Sequence, residues 1–290
     1  MQKGKASTTA GDAAGARALH TLFEQPVILD DPFALDFASP NFRRIANNRL
    51  LRFFVMRFIF SKIRPVAGQV LARARYAEDL LHEAVAQGMA QYVIVGAGYD
   101  SFALRNPSLE NQINIYEIDH PDTQASKRQK FEALGLETPD MVEYAPVDFE
   151  VETVADGLAR SGFASDQPAF FSWLGTVPYL TRPATESTLS AIARFSAPGS
   201  RIVFDYLLPE YCIPQEELKT TKALKKFTEQ RGEPLIGELV PQELPAFLES
   251  LGWRLEADLD VEAQAQRYFT DRDDGLRPWA ASRFAYAVAP

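Results

Sequence analysis

The chain has 290 residues, of which 46 % are hydrophobic and 24 % charged, a globular composition that excludes wholesale disorder. Its 39 acidic and 30 basic residues give a net charge of −9, which argues against nucleic acid as a partner. The one cysteine, Cys212, cannot form an internal disulfide, and His20, His82 and His120 are too scattered for zinc-site spacing. No metal is therefore expected, and a reducing, cytoplasmic setting fits best.

Residues 1–15 lack the apolar region of a signal peptide and read as a disordered leader. Residues 16–290 read as one domain, with 16–90 an N-terminal helical cap. Asp30-Asp31-Pro32-Phe33 carries a helix-start signal. The stretch Phe42–Arg64 has seven basic residues and no acid. It reads either as a basic amphipathic helix on a membrane surface or as a helix packed on the domain with arginines at its rim. The packed reading is preferred. No run of ~20 apolar residues exists to span a membrane.

Apolar residues recur at helical spacing over 66–90. Tyr92–Val95 is then a short β-branched run of the kind that forms a buried parallel strand. Further strands are expected at 113–118, 142–147, 169–174 and 201–206, with helices over 121–134 and 183–196. The segment 207–240 is too long for an ordinary connection and reads as a lid or substrate insertion. A helix over 241–251 precedes two closing strands, 253–259 and 283–288, with no clear helical pattern between them. This succession predicts an α/β fold with a mostly parallel sheet, helices on both faces and an antiparallel edge.

The first strand ends in Gly96-Ala97-Gly98, where the backbone can approach a ligand closely. The second ends in Glu117-Ile118-Asp119, about twenty residues further on, where an acid can accept from ribose hydroxyls. A dinucleotide fingerprint needs a third small residue and no carboxylate at the turn. Here Ser101 and Asp100 stand instead, and Asp100 would repel a pyrophosphate. S-adenosylmethionine, which carries a sulfonium and an ammonium, tolerates such a carboxylate. Asp148-Phe149 after the third strand suits an adenine amino group and ring, although Asp148 also suits a helix N-cap. Arg73 and Arg75 offer a fork for a carboxylate.

Arg73-Ala74-Arg75, Gly96-Ala97-Gly98-Tyr99-Asp100-Ser101, Glu117-Ile118-Asp119-His120-Pro121 and Trp173-Leu174-Gly175-Thr176-Val177-Pro178-Tyr179-Leu180-Thr181 together resemble the leucine carboxyl methyltransferase-like family. The resemblance runs from about residue 16 to the end. It includes Asp30-Asp31-Pro32-Phe33-Ala34 and Gly232-Glu233-Pro234-Leu235. It implies a Rossmann-like class I S-adenosylmethionine-dependent methyltransferase, with a seven-stranded sheet and a helical lid.

The same resemblance implies residue roles. Arg73 would bind the cofactor carboxylate, and Gly96, Ala97 and Gly98 would line its methionine part. Asp119 would hold the ribose, with Glu117 as neighbour or rival. Asp148 and Phe149 would hold the adenine. A cation of the N-terminal helix, Arg17 or His20, would contact the cofactor. Many members carry a glutamate where this chain has Leu174, so the cofactor ammonium would turn to a backbone carbonyl, Asp100 or water.

O-methylation of a small or medium organic acceptor follows as the expected activity. A carboxylate acceptor needs no base, whereas a hydroxyl is helped by one. Candidates for a base are Asp100, His120, Tyr179, Asp205 and Tyr206. The expected lid is aromatic: Phe53, Phe54, Phe58, Phe60, Tyr206, Tyr211 and Phe227. A protein C-terminus is the alternative acceptor. A non-catalytic S-adenosylmethionine-binding module and an NAD-dependent oxidoreductase are the rival readings.

Overall fold

A computed structural model describes residues 8–149 and 151–290, with side chains undescribed for Thr8 and residues 59–63. The chain opens with α1 (Thr8–Phe23), α2 (Ala34–Phe37), α3 (Pro40–Asn47), α4 (Arg49–Phe54), a π-helical segment Val55–Phe60, and α5 (Ser61–Ala86). Then follow β1 (Gln91–Val95), α6 (Phe102–Arg105), β2 (Asn114–Asp119), α7 (Pro121–Leu134), β3 (Val142–Pro146), α8 (Val154–Ala159), β4 (Phe170–Trp173), α9 (Arg182–Phe195) and β5 (Arg201–Leu207). Next come α10 (Gln215–Glu229), α11 (Leu244–Ser250), β6 (Arg254–Leu259), α12 (Val261–Tyr268) and β7 (Ser282–Val288).

β1 is buried along its whole length because it has a neighbour on each side and helices on each face. Its side chains alternate: Val93 and Val95 join one core cluster, Tyr92 and Ile94 the other. That double burial is why the run carries no polar alternation. The seven strands lie in the order β3-β2-β1-β4-β5-β7-β6. β1 to β5 pair in parallel, and β7 runs antiparallel between β5 and β6. The expected α/β fold, mostly parallel with an antiparallel edge, is the fold observed.

Two readings need correction. The stretch expected as a disordered leader is helical from Thr8 onward, while residues 1–7 lie outside the described residues. Its apolar content is mostly alanine, a weak hydrophobic signal but a strong helix former. The last two strands are not joined by loop alone, since α12 lies between them. Of α12 only Gln264 is buried, so the apolar stripe that announces a helix is missing.

Candidate active site

The carboxyl ends of β1, β2 and β4 open into a cavity of about 450 Å³, the place where open parallel sheets hold ligands. At its floor β1 turns sharply. Gly96 has φ +73°, and a Cβ there would stand 2.7 Å from the Thr176 hydroxyl, so only glycine fits. The Gly96 and Ala97 N–H groups donate to the Ile118 carbonyl at 2.8 and 3.0 Å, tying the turn to β2.

At the tip of β2, Asp119 lines the cavity and accepts from the Gly98 N–H at 2.5 Å and the His120 N–H at 2.6 Å. Burial pushes its carboxyl pKa up, and the backbone N–H groups of Gly98 and His120 oppose that shift. Each oxygen uses one lone pair on the backbone, which leaves further acceptor capacity toward the cavity. Asp148 and Phe149 line the same space beyond β3.

Opposite stands Arg73 of α5. Its Nη1 donates to Asp205 Oδ2 at 3.0 Å. Asp205, at the end of β5, is wholly buried and also accepts from Gln69 Nε2 at 2.7 Å and from the Gly175 N–H at 2.5 Å. A buried carboxylate is tolerated because donors converge on it. Gly175 has φ +67°, and a Cβ there would strike the Arg73 guanidinium at 2.4 Å. Leu174, in the place of the family glutamate, lines the cavity as an apolar wall.

α1 supplies one side of the cavity, of which the sequence pointed to Arg17 but not to Thr9 or Ala13. Thr9, Ala13 and Arg17, spaced four apart on one helix face, line the cavity. Small residues at that spacing in the alanine-rich opening were the available signal. Arg17 donates to Asp31 at 2.7 Å and to the Tyr99 carbonyl at 2.8 Å, and Ser101 donates to the same Asp31 oxygen at 2.7 Å. The Asp30-Asp31 motif thus locks α1 to the glycine turn. Of the two proposed cations, Arg17 reaches the cavity. His20 is buried between Glu24 and the Ile28 N–H, each at 2.8 Å.

Other candidates lie elsewhere. Glu117 shares the strand face of Asp119 but sits two residues deeper, under α7. It pairs there with the buried Lys127 at 2.6 Å and does not line the cavity. Arg75 turns away to Asp79 at 2.7 Å and the Ile28 carbonyl at 3.0 Å. Tyr206 projects from the opposite sheet face to Asp205, donates to Asp258 at 3.0 Å, and is no base in this cavity. Asp205 is fully engaged by Gln69, Arg73 and Gly175 and acts as an anchor.

Asp100, His120 and Tyr179 do line the cavity. Asp100 accepts from the Phe102 N–H at 2.7 Å, opening α6, and His120 caps α7 by accepting from the Asp122 N–H at 3.2 Å. Burial pushes the Tyr179 phenol up to about 12.

Of the segment 207–240, Gly232, Glu233 and Pro234 line the cavity, and its aromatic rings do not. Glu233 and Pro234 face inward, and Glu233 accepts a hydrogen bond from the Thr9 hydroxyl. Arg231 pairs with Asp12 of α1 at 2.7 Å. The Ile236 and Gly237 N–H groups both donate to the Pro178 carbonyl at 2.9 Å. Phe53, Phe54, Phe58, Tyr211 and Phe227 are exposed to solvent and line no part of the cavity, and Tyr206 is in the sheet. The Phe60 side chain lies outside the described residues. Among the described residues the aromatic lining is Tyr99, Phe149 and Tyr179 with His120.

The chain matches the leucine carboxyl methyltransferase family model over residues 10–193. It is 32 % identical over 303 residues to YktD of Bacillus subtilis (strain 168), which carries the provisional name of an S-adenosyl-L-methionine-dependent methyltransferase. That alignment covers 99 % of each protein. Among solved structures, a DUF574 family protein from Streptomyces avermitilis MA-4680 aligns with a TM-score of 0.62 at 12 % identity, over 98 % of this chain and 99 % of that one. A provisionally named methyltransferase from Thermobifida fusca YX aligns with a TM-score of 0.60 at 12 % identity, over 99 % and 96 %. At such identity the structural likeness speaks for the fold.

Proposed function

The chain belongs to the leucine carboxyl methyltransferase family, and from that premise we propose that it methylates an oxygen, foremost a carboxylate oxygen, of a small or medium organic acceptor. Its methyl donor is S-adenosylmethionine. The carrying observation is that one cavity collects Arg73, the Gly96–Gly98 turn, Asp119 and Asp148-Phe149 from separate elements.

These residues fit the donor. Arg73, anchored by Asp205, would hold its carboxylate. The Gly96–Gly98 turn, with only the Ala97 methyl as a side chain, would pass its methionine part. Asp119 would accept from the ribose, and Asp148 with Phe149 would hold the adenine. When bound, S-adenosylmethionine supplies a methyl group on a sulfonium, which leaves as a neutral thioether.

The chain's own task is alignment and exclusion of water. The fixed turn and the anchored arginine set one partner. The contacts of Thr9 with Glu233 and of Asp12 with Arg231 close α1 against the insertion. That closure favours a small acceptor over a protein C-terminus.

Among the described residues Arg17 and Arg73 line the cavity, paired with the buried Asp31 and Asp205 respectively. A carboxylate is already ionised at neutral pH and needs no base. Tyr179 stays protonated there, which agrees with an acceptor that requires none.

The test is an acceptor screen with purified protein and S-adenosylmethionine, reading S-adenosylhomocysteine and the methylated product by mass spectrometry. Methyl esters formed from small carboxylic acids are expected. Turnover on amines alone, or on protein C-termini alone, would overturn the reading.

A further inference from the structure

The segment Arg49–Phe58 is apolar on two sides, and among the described residues only one side packs on the domain. Leu51 and Val55 pack inward in the cluster that holds Leu19, Ile28 and Leu71. Leu50, Phe53, Phe54 and Phe58 face solvent, with 73, 62, 57 and 56 % of their surface exposed. With Arg57 they occupy positions i, i+3, i+4, i+7 and i+8, one continuous helical face. The rings are contiguous: Phe53 meets Phe54 edge-on at 5.7 Å, and Phe54 stacks on Phe58 at 6.1 Å. A contiguous exposed patch of this kind marks an interaction surface.

Charge identifies what covers it. The sequence holds no Asp or Glu from Phe37 to Ala77, although the whole chain carries −9. Arg43, Arg44, Arg49 and Arg57 are all exposed on this segment. Arg52 donates to the Ala46 carbonyl at 2.6 Å and stacks on the half-exposed Phe23 at 3.9 Å, joining α3, α4 and the end of α1. A second copy docking through the same patch would bring these arginines face to face, which costs several kcal/mol in like-charge contacts.

An anionic lipid surface satisfies both features. It attracts the arginines and receives phenylalanine and leucine at the headgroup boundary. Among the described residues no helix is long and apolar enough to cross a membrane, so such contact is interfacial. We propose that α3, α4 and the π-helical segment dock the protein on an anionic phospholipid surface, with Leu50, Phe53, Phe54 and Phe58 inserted and the arginines on the headgroups.

Co-sedimentation of the full chain with vesicles tests this. Binding is expected to vesicles of phosphatidylcholine with phosphatidylserine, to fall with salt, and to be far weaker on phosphatidylcholine alone. The variant Phe53→Ser/Phe54→Ser/Phe58→Ser is expected to lower the partition coefficient about tenfold or more, since it removes most of the inserted apolar surface. Arg44→Gln/Arg49→Gln/Arg57→Gln is expected to do the same and to flatten the salt dependence. All six side chains are exposed and remote from the cavity, so donor affinity should stay within about twofold. Equal binding of wild type and both variants, or no preference for anionic vesicles, would overturn the proposal. So would a concentration-dependent dimer lost in the phenylalanine variant, with no vesicle binding.

Discussion

The Arg73 guanidinium, facing the cavity, is held by a carboxylate that never sees solvent: Nη1 lies 3.0 Å from Oδ2 of the wholly buried Asp205. Gln69 and the Gly175 N–H bind the same carboxylate, so two side chains of α5 and the turn after β4 converge there with donors only. An asparagine has one acceptor oxygen and a donor amide in that space. We expect Asp205→Asn to leave at least one donor unsatisfied, costing about 1–3 kcal/mol of stability. It should also loosen Arg73 and weaken S-adenosylmethionine binding about tenfold or more. Thermal melts and calorimetry check the two effects separately. An unchanged affinity would remove Arg73 from the donor site.

Asp119 and Glu117 separate in the same experiments. Asp119→Ala takes away the proposed ribose acceptor. A hydrogen bond to a charged group is worth about 1.5–3 kcal/mol, so donor affinity should fall by one to two orders of magnitude.

Glu117→Gln should leave donor affinity within about twofold while breaking the buried pair with Lys127. Removing one partner of such a pair costs about 3–5 kcal/mol, so the loss should appear in the denaturation midpoint. If Glu117→Gln instead weakened binding more than Asp119→Ala, the site would be centred one layer deeper than described.

Tyr179 gives a pH prediction. Burial pushes its phenol up to about 12. A raised phenol pKa means the neutral form persists below that value, so no phenolate base exists near neutrality. With a carboxylate acceptor, kcat should be flat from about pH 7 to pH 9, and Tyr179→Phe should retain the rate within about threefold. A loss of about a hundredfold or more would be the mark of a general base and would contradict this account.

The sequence exposed the glycine turn and Asp119 because parallel strands buried on both faces leave plain apolar runs, and ligand groups gather at their ends. It did not separate Glu117 from Asp119. Residues two apart share a face, and only the packing of Lys127 over Glu117 tells them apart. Tyr206 and Asp205 failed in the opposite way, since adjacent strand residues face opposite sides and only Asp205 turns toward Arg73. Thr9 and Ala13 were hidden in an alanine-rich opening with little hydrophobic contrast, whereas Arg17 stood out as one of two candidate cations. The exposed Phe53, Phe54 and Phe58 read as part of an aromatic lid because periodicity reports a face without saying what covers it.

Calorimetric titration of the purified protein with S-adenosylmethionine, S-adenosylhomocysteine and NADH tests the donor site most directly. Saturable binding of the first two at micromolar concentration, with none of NADH and with the affinity lost in Asp119→Ala, is the predicted result. Binding of NADH in preference to S-adenosylmethionine, or binding of S-adenosylmethionine that Asp119→Ala leaves intact, would contradict the assignment of this cavity as the methyl-donor site.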